Sequence, residues 1–357
     1  MSWQFDDVDR LAVTTIRTLS MDAIQQANSG HPGAPMGLAP VAWVLFSRLL
    51  KHDPGDPGWP DRDRFVLSCG HASMLLYSVL HLTGYDLPLD EIKRFRQWES
   101  RTPGHPEVEV VPGAEMTTGP LGQGCATSVG MALAEEQLAA SFNGGGDEVV
   151  DHRTWVLCSD GDLMEGVSSE AASLAGHLGL GKLVWIWDDN GITIEGSTDL
   201  TFSEDVPARF RAYGWRVIEV EDANDLDSLA TALREAADES ERPTLVRVRS
   251  EIAWGSPAKQ GSASAHGAPL GEDEVRATKA VYGWPEDRFF YVPDAVAARG
   301  REVAERGAEN HRGWRERADA WAAREPELAA ELERRISCRL PEGWQSSLPD
   351  FAADVQK

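Results

Sequence analysis

The sequence is poor in cysteine and in positive charge, and it lacks any long apolar run. Its four cysteines (Cys69, Cys125, Cys158 and Cys338) are scattered, with no CxxC pair. That spacing argues against a zinc site and gives no disulfide framework, so reduced thiols in a cytoplasmic protein are expected. Lysine and arginine number 34 against 58 acidic residues, a net charge of -24. Such a balance argues against nucleic acid or an anionic membrane surface as the main partner. It leaves small anionic substrates open, because these respond to local charge. No apolar run approaches the roughly 18 residues a membrane helix needs. The N-terminus offers Trp3, Asp6, Asp7 and Asp9 rather than the basic-then-apolar pattern of a signal peptide. No internal repeat is present at solenoid periods.

What is present is a chain of 357 residues, 42% hydrophobic, enough for a sizeable core. Apolar residues at Val8, Leu11, Ala12, Ile16, Leu19, Ala23 and Ala27 predict a helix over 8–27. The run Gly30-His31-Pro32-Gly33-Ala34-Pro35 is expected to break it, and a second helix follows through Val41, Val44, Leu45 and Leu49. Strands are expected at 64–68, 154–158, 183–187, 215–220 and 245–248. Helices are expected at 73–82, 123–142, 166–178 and 226–239. Short apolar strands separated by helices predict an α/β fold, a doubly wound, mainly parallel sheet with helices on both faces. Ligands of such sheets sit beyond the carboxyl ends of the strands. After Pro293 the composition shifts to Ala, Glu and Arg, which predicts charged helices over 295–336. The expected organisation is a core domain over 1–292, a helical linker over 293–339 and an extended tail over 340–357.

The most informative stretch is Ser159-Asp160-Gly161-Asp162-Leu163-Met164-Glu165-Gly166, directly after the 154–158 strand. Gly161 permits close backbone approach to an anion, and the helix N-terminus beyond it favours negative charge. Thirty positions on (190 − 160), the next buried strand ends in Asp188-Asp189-Asn190-Gly191-Ile192. Asp160, Asn190 and the carbonyl of Ile192 could together offer oxygens to one hard cation. Magnesium takes about six oxygens and completes its shell with phosphate and water. Alone, Asp-Gly or Asn-Gly is an ordinary turn signal. As a pair they match the motif of thiamine-diphosphate enzymes.

Further stretches resemble the transketolase family in order and spacing: SGHPGAPMG at 29–37, GHASMLLYSVLHLTGYDLP at 70–88, TPGHPE at 102–107, TTGPLGQG at 117–124 and HGAPLG at 266–271. The resemblance covers essentially the whole chain and implies the diphosphate-binding half of such an enzyme, with the thiamine-diphosphate-binding fold. It implies thiamine diphosphate and magnesium as cofactors, with calcium or manganese able to substitute. His71, Gly161 and His266 resemble the diphosphate contacts, and Gly119, Pro120 and Leu121 the segment beside the aminopyrimidine. Asp160, Asn190 and Ile192 resemble the metal ligands. His31, His105 and His266 resemble catalytic histidines of the substrate channel. Glu165 falls at a position the family places near a dimer interface. Ser159, Cys69, Ala72 and Ala263 depart from the family pattern, the last where a histidine is usual.

In the family, the glutamate that activates the cofactor belongs to a second, pyrimidine-binding domain. The resemblance therefore implies a partner subunit carrying that domain and the catalytic glutamate, in an α2β2 heterotetramer. The reaction implied is transfer of a two-carbon ketol unit from a ketose phosphate to an aldose. One alternative is transfer to a specialised acceptor, such as a nucleotide-linked sugar. A non-catalytic cofactor-binding remnant is the third reading, and the intact metal set argues against it.

Overall fold

The computed structural model describes residues 4–349. Twelve α-helices and five strands alternate along them. The strands are β1 (Arg64–Leu67), β2 (Thr154–Ser159), β3 (Leu183–Asp189), β4 (Arg216–Val220) and β5 (Thr244–Arg249). The helices, in order, are α1 (Asp7–Ala27), α2 (Gly33–Val44), α3 (Ser73–Leu82), α4 (Leu89–Lys93), α5 (Gln123–Phe142) and α6 (Asp160–Met164). Then come α7 (Gly166–Leu178), α8 (Val206–Ala212), α9 (Leu226–Ala237), α10 (Glu272–Val281), α11 (Asp294–Arg324) and α12 (Pro326–Ile336).

The strands form one sheet in the order β1-β2-β3-β5-β4, and every pairing is parallel. Successive strand side chains point to opposite faces. Accordingly Phe65, Leu67, Trp155, Leu157, Val184, Ile186, Val246 and Val248 enter one apolar core with α1, α2, α3 and α9. Val66, Val156, Cys158, Leu183, Trp185, Trp187 and Leu245 enter a second core with α5 and α7. Both faces are thus covered, as the unbroken apolar strands require. All strands run the same way, so their carboxyl ends share one edge.

The 30–35 run does not behave as a simple break. Helix α2 begins at Gly33, so Gly33, Ala34 and Pro35 form its first turn, and Pro40 lies inside it. Proline in a first turn loses no hydrogen bond, because that N–H has no intrahelical partner. Pro40 would orphan the carbonyl of Met36, four residues earlier. Arg17 from α1 fills that vacancy through an Nε–O bond of 2.8 Å. The helix expected to continue to Leu49 instead ends at Val44 and widens into a π-turn over Leu45–Leu49. The short helices α4, α8 and α10 carry no long periodic pattern and were not expected from sequence.

Helix α11 begins at Asp294, and its first half lies along the α/β body. Arg299 donates to Asp6 at 2.8 Å and to Asp9 at 2.9 Å, and His311 pairs with Asp53 at 2.9 Å. Two glycines set its depth. A Cβ on Gly300 would lie 1.8 Å from the carbonyl oxygen of Leu82, and one on Gly307 would lie 2.3 Å from that of His52. Of the expected tail, residues 340–349 are exposed and hold one short turn at Trp344–Ser347; 350–357 lie outside the described residues. Gly300→Ala forces α11 away from α3, and we expect it to cost about 1–3 kcal/mol in urea unfolding. Gly313→Ala, where a Cβ meets only the Arg317 side chain at 3.7 Å, is the neutral control.

Candidate active site

The carboxyl edge of the sheet is organised around a carboxylate for which sequence reading proposed no role. Asp162, in the first turn of α6, is fully buried. Its Oδ1 accepts from Ser68 Oγ at 2.7 Å and from Gly122 N at 2.8 Å. Its Oδ2 accepts from the backbone N of Ser159 at 2.8 Å and from Ser159 Oγ at 3.0 Å. Ser68 follows β1, Ser159 ends β2 and Gly122 precedes α5, so one side chain gathers three chain segments. Burial pushes the Asp162 carboxyl up, and the four donors pull it back. The readable signal was a serine followed three residues later by an acid at a strand–helix junction.

This junction sets the turns that carry the predicted residues. His71 stands on a 3-10 turn, Gly70–Ala72, just past Ser68. A Cβ on Gly70 would lie 2.9 Å from the carbonyl carbon of Thr118 and 3.0 Å from Gly119 N. A Cβ on Gly161 would lie 2.8 Å from Leu121 Cδ1. The Gly119-Pro120-Leu121 segment is therefore wedged between the His71 turn and the Gly161 turn, and at Gly70 the backbone contacts leave no room for a Cβ.

Four histidines from four loops converge beside that segment. His31 lies between α1 and α2, His105 follows α4, and His266 closes the Ala263–Ala265 turn. The His31 ring centroid is 5.2 Å from that of His71, 5.7 Å from His266 and 6.3 Å from His105. His71 and His266 stack at 5.0 Å. Burial, with repulsion among the rings, pushes His31 down to about 4 and His71 to about 3. His105 and His266 are lowered too, chiefly by burial. The cluster is therefore neutral at pH 7, and each ring offers one N–H and one lone pair. His31 Nδ1 and Thr118 Oγ1 are buried without a hydrogen-bond partner among the described residues. Buried polar atoms are rarely left so.

The second strand tip lies next to the first. Asp160 Oδ2 accepts from Gly191 N at 3.1 Å, and Oδ1 from Trp187 Nε1 at 2.8 Å. Asn190 bridges Asp188 Oδ2 at 2.7 Å and the N of Ile192 at 2.8 Å. Asp189 is neutralised by Arg247 at 2.7 Å. Asp160 and Asp188 are buried with no salt bridge among the described residues, so burial and their mutual repulsion raise Asp160 to about 7; burial chiefly raises Asp188 to about 6. Among the described residues, no three His, Cys, Asp or Glu side chains are arranged to hold a metal by themselves. The predicted set differs in kind: one carboxylate, one amide oxygen and one backbone carbonyl, which need phosphate oxygens to complete a shell. A buried, uncompensated pair of acids suits a cation at this tip.

Comparison with known proteins fixes the family. A profile described as "Transketolase, thiamine diphosphate binding domain" matches residues 8–341. The chain belongs to the transketolase thiamine-diphosphate-binding family. It is 54% identical to the transketolase of Geobacillus stearothermophilus over 347 residues, covering 97% of this chain and 52% of that one. For the Halalkalibacterium halodurans transketolase the figures are 54% over 344 residues, 96% and 52%. A Pichia stipitis transketolase solved with sedoheptulose 7-phosphate superposes with a TM-score of 0.93 at 50% identity, covering 97% of this chain and 51% of that one. The Leishmania mexicana transketolase gives 0.94 at 44% identity, covering 98% and 52%. The chain thus spans about half the length of the curated transketolases it matches. Among the described residues, no helix is long and apolar enough to cross a membrane.

The departures from the transketolase pattern have clear local settings. Ser159 supplies the N-terminal cap of α6 and two of the four bonds to Asp162. Cys69 is buried, with its Sγ 3.6 Å from the carbonyl of Leu157. Ala72 is fully buried beside His71. Ala263 opens the turn that ends at His266. Glu165 is exposed between α6 and α7. Asp162→Ala strands several buried donors, and we expect a loss of about 3 kcal/mol or more in urea unfolding. Asp162→Asn keeps one acceptor oxygen and should fall between the two.

Proposed function

We propose that this chain holds the diphosphate end of thiamine diphosphate and a divalent cation, for two-carbon ketol transfer from a ketose phosphate to an aldose. The observation that carries the reading is the convergence of four neutral imidazoles and two uncompensated buried acids at one sheet edge, in a transketolase-family chain. Solved transketolases described as bound to xylulose 5-phosphate, fructose 6-phosphate and sedoheptulose 7-phosphate support the donor class.

In this reading Asp160, Asn190 and the Ile192 carbonyl hold magnesium, with calcium or manganese able to substitute. His71, His266 and the Gly161 backbone receive the diphosphate, helped by the N-terminus of α6. Gly119, Pro120 and Leu121 line the aminopyrimidine. Thiamine diphosphate, when bound, supplies the electron sink that lets a bond beside a carbonyl break. The chain's own task is to bind, orient and move protons. His31, His105 and His266 face the substrate, and a ring that stays neutral at pH 7 accepts a hydroxyl proton. His31 Nδ1, without a hydrogen-bond partner among the described residues, is left for a ligand to satisfy.

In the same reading a pyrimidine-binding domain with the catalytic glutamate completes the site, carried by a second subunit in an α2β2 heterotetramer; the half of each relative that this chain does not match leaves room for such a domain. The proposed organisation is a core domain over 1–292, a linker over 293–339 and a tail over 340–357. A cytoplasmic setting belongs to the same reading, consistent with four free cysteines, three of them buried. The loss of an imidazole at Ala263, three residues before His266, favours a second reading in which the acceptor is specialised, such as a nucleotide-linked sugar.

The decisive experiment mixes this chain with a pyrimidine-domain polypeptide and assays xylulose 5-phosphate with ribose 5-phosphate. Exchange by the mixture, and none by either part, is expected. No exchange with sugar phosphates but turnover of a nucleotide-linked acceptor would favour the second reading. Asp160→Asn relieves a buried charge but leaves Trp187 Nε1 or Gly191 N without its acceptor, so the chain without cofactor should melt close to wild type. The rise in melting temperature on adding magnesium and thiamine diphosphate should vanish. An undiminished rise would remove Asp160 from the metal site.

A further inference from the structure

Two of the four imidazoles, His31 and His105, sit on loops that share no strand or helix, yet their rings lie 6.3 Å apart. One guanidinium touches both loops. Arg96 follows α4 and adopts φ of +61°, a left-handed backbone uncommon for a side chain of its size. Its Nη1 donates to Ser29 Oγ at 2.8 Å, two residues before His31. On its other side it lies flat against Gly104, the residue before His105. A Cβ there would be 3.1 Å from Arg96 Nε and 3.4 Å from Nη2. The neighbouring Phe95 presses on Gly30, where a Cβ would be 3.0 Å from its Cε1. The Arg96 backbone N–H donates to Thr102 O at 3.0 Å, which ties the arginine to the loop that carries His105.

That second loop has its own fixed base. Ser73 Oγ of α3 donates to Gly104 O at 2.9 Å, and Tyr77 OH donates to Pro103 O at 2.8 Å. The first loop is held by the helices on either side, by the Phe95 ring against Gly30 and by the Arg96 bond to Ser29. Left-handed side-chain residues persist where their surroundings over-determine them, and they cluster at functional sites. Arg96 Nε is buried without a hydrogen-bond partner among the described residues, so the arginine is not simply a saturated structural clamp. The same cation helps depress the pKa of both His31 and His105.

We propose that Arg96 is a positioning residue that sets the separation of His31 and His105 by bridging Ser29 to Gly104. The inference rests on the proposed role of these histidines at the substrate. Its consequence is that Arg96 acts on the proton-transfer geometry more than on diphosphate binding, because His71, Gly161 and Asp160 hang from the separate Asp162 junction and His266 from the Ala263–Ala265 turn.

The test uses Arg96→Met, Arg96→Lys and Ser29→Ala. In the isolated chain, imidazole signals of His31 and His105 are followed by nitrogen-edited NMR. In the complex reconstituted with the pyrimidine-domain polypeptide, kcat and the affinity for thiamine diphosphate are measured. We expect Arg96→Met to shift both imidazole signals and to lower kcat by roughly 10- to 100-fold, the scale of an ångström's misplacement. Cofactor affinity should stay within about twofold, a margin inside ordinary context effects. Arg96→Lys, which keeps a donor for Ser29 but not the planar fork, should recover part of the loss. Ser29→Ala should act in the same direction and add little on top of Arg96→Met. Unmoved imidazole signals with unchanged kcat would overturn the proposal, as would equal losses in kcat and cofactor affinity. If even the wild-type complex is inactive, the functional reading fails, while the imidazole shifts still decide whether Arg96 sets the two rings.

Discussion

The architecture of the site depends on one buried carboxylate accepting four hydrogen bonds. Asp162 holds the ends of β1 and β2 and the start of α5 to a common point. Each of those segments carries a site residue within a few positions: His71 after Ser68, Asp160 and Gly161 after Ser159, Leu121 before Gly122. A buried carboxylate is costly unless its lone pairs are met, so the arrangement tolerates little slack. The turns that would receive a diphosphate are rigid because this acid has no cheaper way to be buried.

The same principle recurs elsewhere in the fold through several buried tryptophans. Indole N–H groups satisfy buried acids in several places: Trp43 donates to Asp9, Trp155 to Asp63 and Trp187 to Asp160. Trp185 and Trp215 donate to Ser128 and to the carbonyl of Ala172. An indole combines large apolar area with one donor, so it fills the core while it caps a polar group. Part of the strong acidity is thus internal and partnered, not only a solvated surface.

At the site, opposite electrostatic demands sit side by side. The imidazoles are held neutral by burial and by one another, which suits proton acceptance. Asp160 and Asp188 at the strand ends are buried without a counter-cation among the described residues, so a proton or an added cation stabilises them. An anionic diphosphate and a divalent cation would meet both demands at once.

The sheet, its parallel sense and the strand-tip acids were legible because they are local. Unbroken apolar strands such as 183–187 and helix-spaced runs such as 8–27 follow from the period of the backbone, and a strand tip places Asp160 wherever the strand ends. The Gly/Pro run at 30–35 was only partly a break, because Gly33, Ala34 and Pro35 fit the first turn of α2. The meeting of His31, His71, His105 and His266, the hub role of Asp162 and the bridge made by Arg96 were decided only by the tertiary structure. Most of those contacts join residues tens to hundreds of positions apart, and no local periodicity encodes which loops a folded sheet edge will bring face to face.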